Sequence, residues 1–200
     1  GGSQSSNRQA LSLLGNLAGL DYALSLERSE TSGWRHRTGT RTEGGDLSLG
    51  YDLAEGLRLD VNLALLHTDY EMPGGLWGKA AFKANPQAAQ NLFDEAAEDY
   101  FTINPTLTAQ LAETVEFILE TGYSRKDIET DTPSYFPPTW SDLLVETWTV
   151  APRFVFTAPL GDFANRLTIG MDWTHDTLEV KRSFDAGRTV YGGRDVGHKA

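Results

Sequence analysis

Histidine and carboxylate side chains are the groups in this sequence best suited to chemistry, and they occur in few useful combinations. The chain has 4 histidines, two of which lie close to an aspartate: His67 precedes Asp69, and His175 precedes Asp176. A metal site needs several ligands from converging segments, and each pair supplies two. The sequence has no cysteine, so disulfides, thiolate metal sites and cysteine nucleophiles are excluded.

Motifs of the common enzyme classes are absent from the sequence. It has no Gly-x-Ser-x-Gly elbow, no phosphate-binding glycine loop and no His-Glu-x-x-His pair. Serines are plentiful, but no motif selects one of them as a partner for His67. We therefore predict no enzymatic activity, no catalytic residue, no metal site and no cofactor.

Ligand capture by charge and stacking is a second kind of chemistry, and Trp34-Arg35-His36-Arg37 is suited to it. Two guanidinium groups stand beside an indole in a chain whose formal net charge is −11. Guanidinium groups bind carboxylates and other anions in a fixed geometry, so the cluster is a candidate site for an anionic chelate. Contact with lipopolysaccharide phosphates, or simple solvation, is the alternative.

Other loop residues complete the candidate site. Further exposed aromatic residues are predicted at Trp77, Tyr135, Phe136 and Trp140. Of these, Trp77, Tyr135 and Trp140 are candidates to contact a ligand together with Trp34, Arg35 and Arg37. Two acidic stretches, 94–99 and 127–131, are predicted to be solvated loop charge rather than calcium sites.

The elements that position these loops are β-strands, because apolar and polar residues alternate over long stretches. From 57 to 65 the odd positions are leucine or valine, and they interleave with Arg58, Asp60 and Asn62. Similar runs occupy 9–14, 22–26, 47–51, 101–111, 115–123, 148–156 and 167–173. We predict an all-β fold of about eight antiparallel strands in an up-and-down meander.

The connections between these strands alternate between short and long. Short connections are predicted at 15–19, 52–56, 112–114 and 158–165, and long ones at 29–42, 71–99, 126–143 and after His175. Transmembrane barrels have tight turns at one end and long loops at the other, and their tilted strands need about 9–11 residues to cross a bilayer. The pattern therefore predicts a segment of a transmembrane β-barrel in the bacterial outer membrane.

The alternation also assigns the two faces of the sheet. The residues predicted to touch lipid are Leu59, Val61, Leu63, Phe117, Leu119, Phe154 and Ile169. The residues predicted to face the lumen are Asp60, Asn62, Thr106, Glu116, Arg153 and Asp172. Aromatic residues cluster near the strand ends, as interfacial girdles require.

Charge and the chain ends narrow the function further. The net charge of −11 excludes a nucleic-acid partner, since a binder of phosphates needs a basic face. The start, GGSQSSNRQ, lacks the apolar region of a signal peptide, and the end, GGRDVGHKA, does not look like a closing strand. We expect residues 1–200 to be an interior segment of one barrel domain.

Several stretches resemble the TonB-dependent outer-membrane receptors. They are 20–37 (LDYALSLERSETSGWRHR), 47–59, 148–173 and above all 68–88 (TDYEMPGGLWGKAAFKANPQA), where a Pro-Gly-Gly-Leu loop precedes a short helical piece and an Asn-Pro turn. The resemblance implies a barrel of about 22 strands filled by an N-terminal plug, which this sequence lacks. It further implies energy-coupled uptake of a scarce nutrient, foremost a ferric siderophore, with membrane lipid, that ligand and the TonB protein as partners.

A soluble β-sandwich is the alternative that the sequence leaves open. Such a domain would bind a carbohydrate or a protein through its loop tryptophans, and its apolar side chains would face a second sheet. Alternating loop lengths have no reason to occur in a sandwich, and they favour the barrel.

Overall fold

The structure, a computed structural model, describes residues 5–160, 163–189 and 191–199. Its elements, in chain order, are β1 (Ser6–Leu17), β2 (Leu20–Thr31), β3 (Thr40–Ala54), β4 (Leu57–Glu71), α1 (Gly78–Ala84), β5 (Glu95–Ala112), β6 (Val115–Thr132), β7 (Thr139–Leu160), β8 (Phe163–Gly170), β9 (Trp173–Ser183) and β10 (Tyr191–Lys199). In the described part of the chain, no helix has the length and hydropathy needed to cross a membrane.

All strands belong to one antiparallel sheet in the order β1-β2-β3-β4-β5-β6-β7-β9-β10, with β8 also paired to β7. Two-residue turns at 18–19, 55–56 and 113–114 alternate with the longer connections 32–39, 72–94 and 133–138. This confirms the up-and-down meander and the alternation of loop lengths. The short connection predicted at 158–165 includes residues 161 and 162, which lie outside the described residues.

The sheet is a single layer and has almost no core of its own. Among the described residues, the buried apolar side chains are Ala96, Ala151 and Val155. A soluble sandwich would bury its apolar face against a second sheet. Here that face stays open, and Leu13, Leu65, Leu167 and Ile169 are more than half exposed. The sandwich alternative is therefore not supported.

The strand register places the apolar residues together on one face. Leu59 pairs with Tyr51 and Leu107, and the ring centroids of Phe117 and Phe154 lie 4.9 Å apart. Side chains directly opposite each other in a ladder point to the same side of the sheet. The predicted lipid-facing residues accordingly share one face, which we call the outward face.

The polar residues lie on the other face, which we call the inward face. Asp60 pairs with Thr106, and Thr106 pairs with Glu120. Arg153 forms two hydrogen bonds with Glu120, of 2.6 and 2.7 Å. The predicted division into an apolar and a polar face is confirmed.

The interruption between β8 and β9 has a local cause. Gly170 pairs with Arg153 and Trp173 pairs with Val150, so the register along β7 is the same on both sides of the break. Pro152 lies opposite the break and has no N–H group to donate. Its carbonyl accepts a 3.1 Å hydrogen bond from the amide of Met171, but the reciprocal bond cannot form.

Two features differ from the sequence-based expectation. Instead of about eight strands, the described residues form ten strand segments, partly because β9 continues past His175 to Ser183, where a loop is expected from the sequence. No strand is predicted for the C-terminal stretch, which forms β10 and pairs with β9. Its sequence carries no clear alternation, so the neighbouring strand, rather than local pattern, defines this element.

An aromatic band crosses the outward face of the sheet below the long-loop end. It consists of Phe101, Tyr123, Trp148 and Trp173. The rings of Tyr123 and Trp148 lie 4.5 Å apart, and those of Phe101 and Tyr123 lie 6.1 Å apart. Amphipathic rings prefer the headgroup level of a membrane, so this band marks the outer edge of the membrane-spanning part.

Candidate functional site

Five of the six predicted site residues lie at the long-loop end of the sheet, in the segments 32–39, 72–94 and 133–138, which we call the loop cluster. The first segment makes a tight reversal in which Gly33 and Arg37 have positive φ values of 66° and 58°. A side chain at Gly33 would meet the hydroxyl of Thr38 at 2.2 Å, so glycine is required there.

Arg35 connects the first two segments of the loop cluster. Its Nη2 atom donates hydrogen bonds to the carbonyl oxygens of Gly74 (2.9 Å) and Ala88 (2.8 Å). Beside it, the amide of Gln87 donates to the carbonyl of Trp34 at 3.0 Å, and the backbone N–H of His36 donates to the carbonyl of Gln87 at 2.8 Å. The guanidinium group predicted to hold a ligand therefore holds the neighbouring loop.

Arg37 is likewise engaged within the protein. Its Nη1 atom lies 2.6 Å from a carboxylate oxygen of Glu71, whose other oxygen accepts the backbone N–H of Gly39 at 3.0 Å. Nη2 donates to the carbonyl of Asp94 at 3.3 Å. The buried Nε atoms of Arg35 and Arg37 have no hydrogen-bond partner in the structure. Both arginines thus fix the loops in place.

Asp94 joins the third segment to the other two. Its side chain is 0% exposed, and its carboxylate accepts hydrogen bonds from the amide of Asn91 (2.5 Å) and the backbone N–H of Ser134 (3.0 Å). A buried carboxylate is tolerated when its oxygens are satisfied in this way. The prediction that 94–99 is solvated loop charge is wrong for Asp94, and residues 95–99 belong to β5.

The second acidic stretch, 127–131, is also strand rather than loop, since it lies within β6. The sequence of this stretch does not indicate a strand, because aspartate and glutamate are uncommon in strands. Asp127 and Glu129 lie on the outward face above the aromatic band, where Asp127 pairs with Arg125 at 2.7 Å. This part of the strand projects beyond the membrane.

The predicted aromatic contacts fall into two groups. Trp34, Trp77 and Tyr135 lie on the loop cluster and are 48%, 81% and 59% exposed. Trp140 instead lies in β7, half-buried on the outward face, where it pairs with Asp131. Phe136, which adjoins Tyr135, has a fully exposed ring, as predicted, although it is not among the candidate ligand contacts. The loop cluster therefore presents its aromatic residues to the exterior from a fixed backbone.

Charge at the strand tips is strongly acidic. A cleft of about 620 Å³ lies beside the loop cluster. Its charged lining consists of one arginine, Arg41, and the carboxylates of Glu30, Asp69, Glu71, Glu95, Glu129 and Asp131. Such a cleft repels an anionic ligand. The exposed rings of Trp34, Trp77 and Tyr135 are therefore the better candidates for contact with such a ligand. The described residues contain no group of three or more His, Asp or Glu side chains placed to hold a metal ion.

His67 lies just above the aromatic band, between two carboxylates. Its Nδ1 atom is 2.7 Å from Asp99, and its Nε2 atom is 3.2 Å from Asp69. The hydrogen bond with Asp99 is the main cause that raises the pKa of His67, desolvation opposes it, and Asp69 adds to the increase. The geometry is that of a local ion pair across β4 and β5.

No protein-family model matches the sequence, and no curated protein sequence matches it. Solved structures do resemble the fold. The unliganded ferric citrate transporter FecA superimposes with a TM-score of 0.80 at 18% identity, over 98% of this chain and 30% of that one. The ferric-catecholate import receptor Fiu from E. coli K12 gives 0.70 at 13% identity, over 89% of this chain and 33% of that one.

The fold is shared by receptors for other cargoes. The RagAB peptide importer superimposes with a TM-score of 0.66 at 10% identity, over 96% of this chain and 28% of the other. The chain thus spans about a third of the length of the structures that it resembles. It has the fold of a wall segment of an outer-membrane receptor barrel.

Proposed function

We propose that this chain supplies barrel wall and external loops to an outer-membrane receptor that imports a scarce nutrient, foremost a ferric siderophore. The observation that carries the proposal is the match of 98% of the chain to a ferric citrate transporter at a TM-score of 0.80. The proposed partners are membrane lipid on the outward face, the ligand at the loops, and TonB as energy-coupling protein through another part of the receptor. No catalytic chemistry is part of this function.

The candidate site residues take different roles in the proposal. Trp34, Trp77 and Tyr135 contact the ligand directly, because their rings are exposed on loops that are fixed to one another. Arg35 and Arg37 are positioning residues, since their Nη atoms bind backbone carbonyls and Glu71. Trp140, the remaining member of the predicted set, acts only as an outer support, because it lies on the outward face of β7.

Binding and uptake by the full-length receptor test this proposal. Labelled ferric chelates, haem, cobalamin and a peptide would be compared as ligands of the natural protein and of a variant with Trp34, Trp77 and Tyr135 changed to Ala. We expect one ligand class to bind, and its affinity to fall in the variant. Phe163→Ala is the matched control, since Phe163 is 77% exposed at the opposite end of the sheet.

A second variant separates contact from positioning. Changing Arg35 and Arg37 to Ala should weaken ligand binding and also increase amide hydrogen exchange in 72–94, whereas the aromatic variant should leave exchange unchanged. Absence of binding for every ligand would remove the receptor proposal. Normal binding in the aromatic variant would remove the loop cluster as the capture site.

A further inference from the structure

A groove of about 480 Å³ crosses the outward face of the sheet at the upper edge of its membrane-level part, and we call it the outer groove. Its floor is the backbone of β3 at Gly45, where no side chain fills the space. Apolar side chains form its walls and charged side chains form its rim. The walls are Leu26, Leu65 and Phe101, and the rim consists of Glu43, His67, Asp99, Arg125 and Asp127.

Gly45 creates the space of the outer groove. Leu26 and Leu65 lie directly opposite Gly45 on the two neighbouring strands. A Cβ atom at residue 45 would lie 2.8 Å from Cδ2 of Leu26, so this leucine leans over the gap. Both leucines nevertheless remain open to the outside, with 44% and 54% of their surface exposed. A large side chain at residue 45 would therefore occupy the groove.

The rim of the outer groove offers charges of both signs. Arg125 donates to Asp127 through Nε (2.7 Å) and Nη2 (3.1 Å), and among the described residues its Nη1 atom has no acceptor. Asp99 binds His67 at 2.7 Å through one oxygen and is 66% exposed. Arg125 and Asp99 are diagonal neighbours on β6 and β5, and such neighbours lie about 7–8 Å apart. A single small group can therefore contact both.

The position of the outer groove indicates that lipid lies against it. Leu63 and Ile103, which follow the groove walls towards the membrane, belong to the lipid-facing part of the outward face, and Phe101 is a member of the aromatic band. Strands β2 to β6 are hydrogen-bonded to a neighbour on both edges, so no further strand enters the sheet here. The groove is thus continuous with the surface that contacts hydrocarbon and headgroups.

The rim charges favour one kind of lipid headgroup. Apart from His67, the rim has one cation, Arg125, and three carboxylates, so a headgroup with negative charge alone would be repelled. A headgroup with an ammonium group beside its phosphate complements both signs, since arginine donates to phosphate and ammonium donates to carboxylate. Lipid A, with two phosphates on a pair of sugars, is bulkier and more anionic.

We infer that the outer groove binds one glycerophospholipid with an ethanolamine headgroup. The phosphate accepts a hydrogen bond from Nη1 of Arg125, and the ammonium group donates to Asp99. The first part of an acyl chain fills the space over Gly45, between Leu26 and Leu65. The inference goes beyond the proposed uptake function, because it assigns a specific lipid to the outward face and does not depend on the nutrient that the receptor imports.

Lipid binding to the full-length receptor tests the inference. The protein in detergent would be titrated with phosphatidylethanolamine, phosphatidylglycerol and lipid A, and bound lipids would be counted by native mass spectrometry. One phosphatidylethanolamine should bind in preference to the other two lipids. Gly45→Leu fills the groove and Arg125→Gln removes the phosphate contact. Each should raise the dissociation constant of phosphatidylethanolamine about tenfold, as expected for the loss of one charge-assisted hydrogen bond or of a buried chain segment.

Two variants serve as matched controls and should leave phosphatidylethanolamine binding unchanged. Gly15→Leu adds the same bulk on the outward face, beside the movable ring of Tyr22, but near the short-turn end of β1. Lys126→Gln removes a charge next to Arg125 in the chain, but on the inward face. Equal binding of phosphatidylethanolamine and phosphatidylglycerol, preference for lipid A, or undiminished binding by Gly45→Leu would each overturn the inference.

Asp99→Asn tests the ammonium contact without emptying the groove. The amide can still hydrogen-bond with His67 but has no charge, so the preference for phosphatidylethanolamine over phosphatidylglycerol should fall to near equality while lipid still binds. An unchanged preference would show that the ammonium group does not lie at Asp99, and the inferred headgroup would be wrong. Because no nutrient is present in these titrations, their outcome is independent of the receptor function.

Discussion

The membrane-level and upper parts of β6, β7 and the successive strands β8 and β9 have opposite polarity. Below the aromatic band the outward face is apolar, with Phe117 and Phe154 in contact. Above it the outward face carries charged residues such as Arg125 and Asp127, and the aliphatic side chains move to the inward face. The same strands, with an unbroken register, therefore serve two different surroundings.

Strand length makes this reversal possible. β7 has 22 residues, which at about 3.3 Å per residue extend roughly 70 Å. The hydrocarbon core of a bilayer is about 30 Å thick, so even a strand tilted by about 45° continues well beyond it. What lies next to each half, lipid or water on the outward face and the barrel interior on the inward face, determines which side chains are stable there. Sheet geometry alone does not determine which face of a strand is apolar.

The largest effect is expected from a charge placed on the outward face at membrane level. Leu63→Arg should lower the free energy of unfolding of the protein in lipid by about 2–4 kcal/mol, because the guanidinium group would enter hydrocarbon. Asn62→Arg, one residue away on the inward face, should cost much less. Denaturant unfolding in vesicles measures both, and equal costs would contradict the assignment of the faces.

The next effect concerns the loop cluster at the far end of the upper half. Asp94→Ala should cost about 1–3 kcal/mol of local stability, because the amide of Asn91 and the backbone N–H of Ser134 lose their acceptor. Amide hydrogen exchange in 72–94 and 133–138 should accelerate. Glu129→Ala, at a carboxylate that is 69% exposed, serves as the control and should leave exchange unchanged.

A smaller, pH-dependent effect is expected at His67, at the boundary between the halves. Its pKa in the folded protein is raised above the ordinary value of 6.5, chiefly by Asp99. The protonated ring therefore stabilises the fold below about pH 6.5, and this contribution is lost as the pH rises through the folded-state pKa.

The measurement is the stability difference between the natural protein and His67→Gln at low and high pH. Because His67 is 40% exposed, solvent screening should keep the difference under about 1 kcal/mol at low pH. It should disappear at alkaline pH. A difference that grew with pH would show that the neutral ring, not the ion pair, stabilises the fold.

The smallest effect is expected from the same kind of substitution in the upper half. Leu144→Arg lies on the outward face, as Leu63→Arg does, but above the aromatic band and opposite Asp127. Its effect on stability should stay within about 0.5 kcal/mol, as for a typical surface substitution. A loss as large as that of Leu63→Arg would place the membrane boundary higher than the aromatic band.

Sequence reasoning predicts the membrane-level half well and the upper half poorly. Alternation from 57 to 65 and from 148 to 156 reveals the faces, because lipid demands an apolar residue at every second position. Above the band the strands no longer contact lipid, so apolar residues are not required at every second position. Stretches such as 127–131 therefore look like loops in the sequence although they are strands. The pairing between β5, β6 and β7, which the local sequence does not contain, extends the strands there.

The candidate site was predictable in composition but not in contacts. The exposure of Trp34, Trp77 and Tyr135 agrees with the expectation from their positions in loops. The hydrogen bonds of Arg35 to Gly74 and Ala88 join residues far apart in the sequence, so no local sequence pattern predicts them. The burial of Asp94 likewise depends on a distant segment, 133–138, whose Ser134 donates its backbone N–H to the carboxylate.

The bonds that hold the loop cluster together have a consequence for how its surface can diversify. Arg35 binds carbonyl oxygens, and Asp94 accepts the backbone N–H of Ser134. Main-chain groups of this kind are offered by almost any residue, proline lacking the N–H. Side chains that take no part in these bonds, Tyr135 and Trp77 among them, are thus free to be exchanged while the anchoring pattern stays the same. Homologous chains can therefore differ at the loop tips while Arg35 and Asp94 keep the loops together.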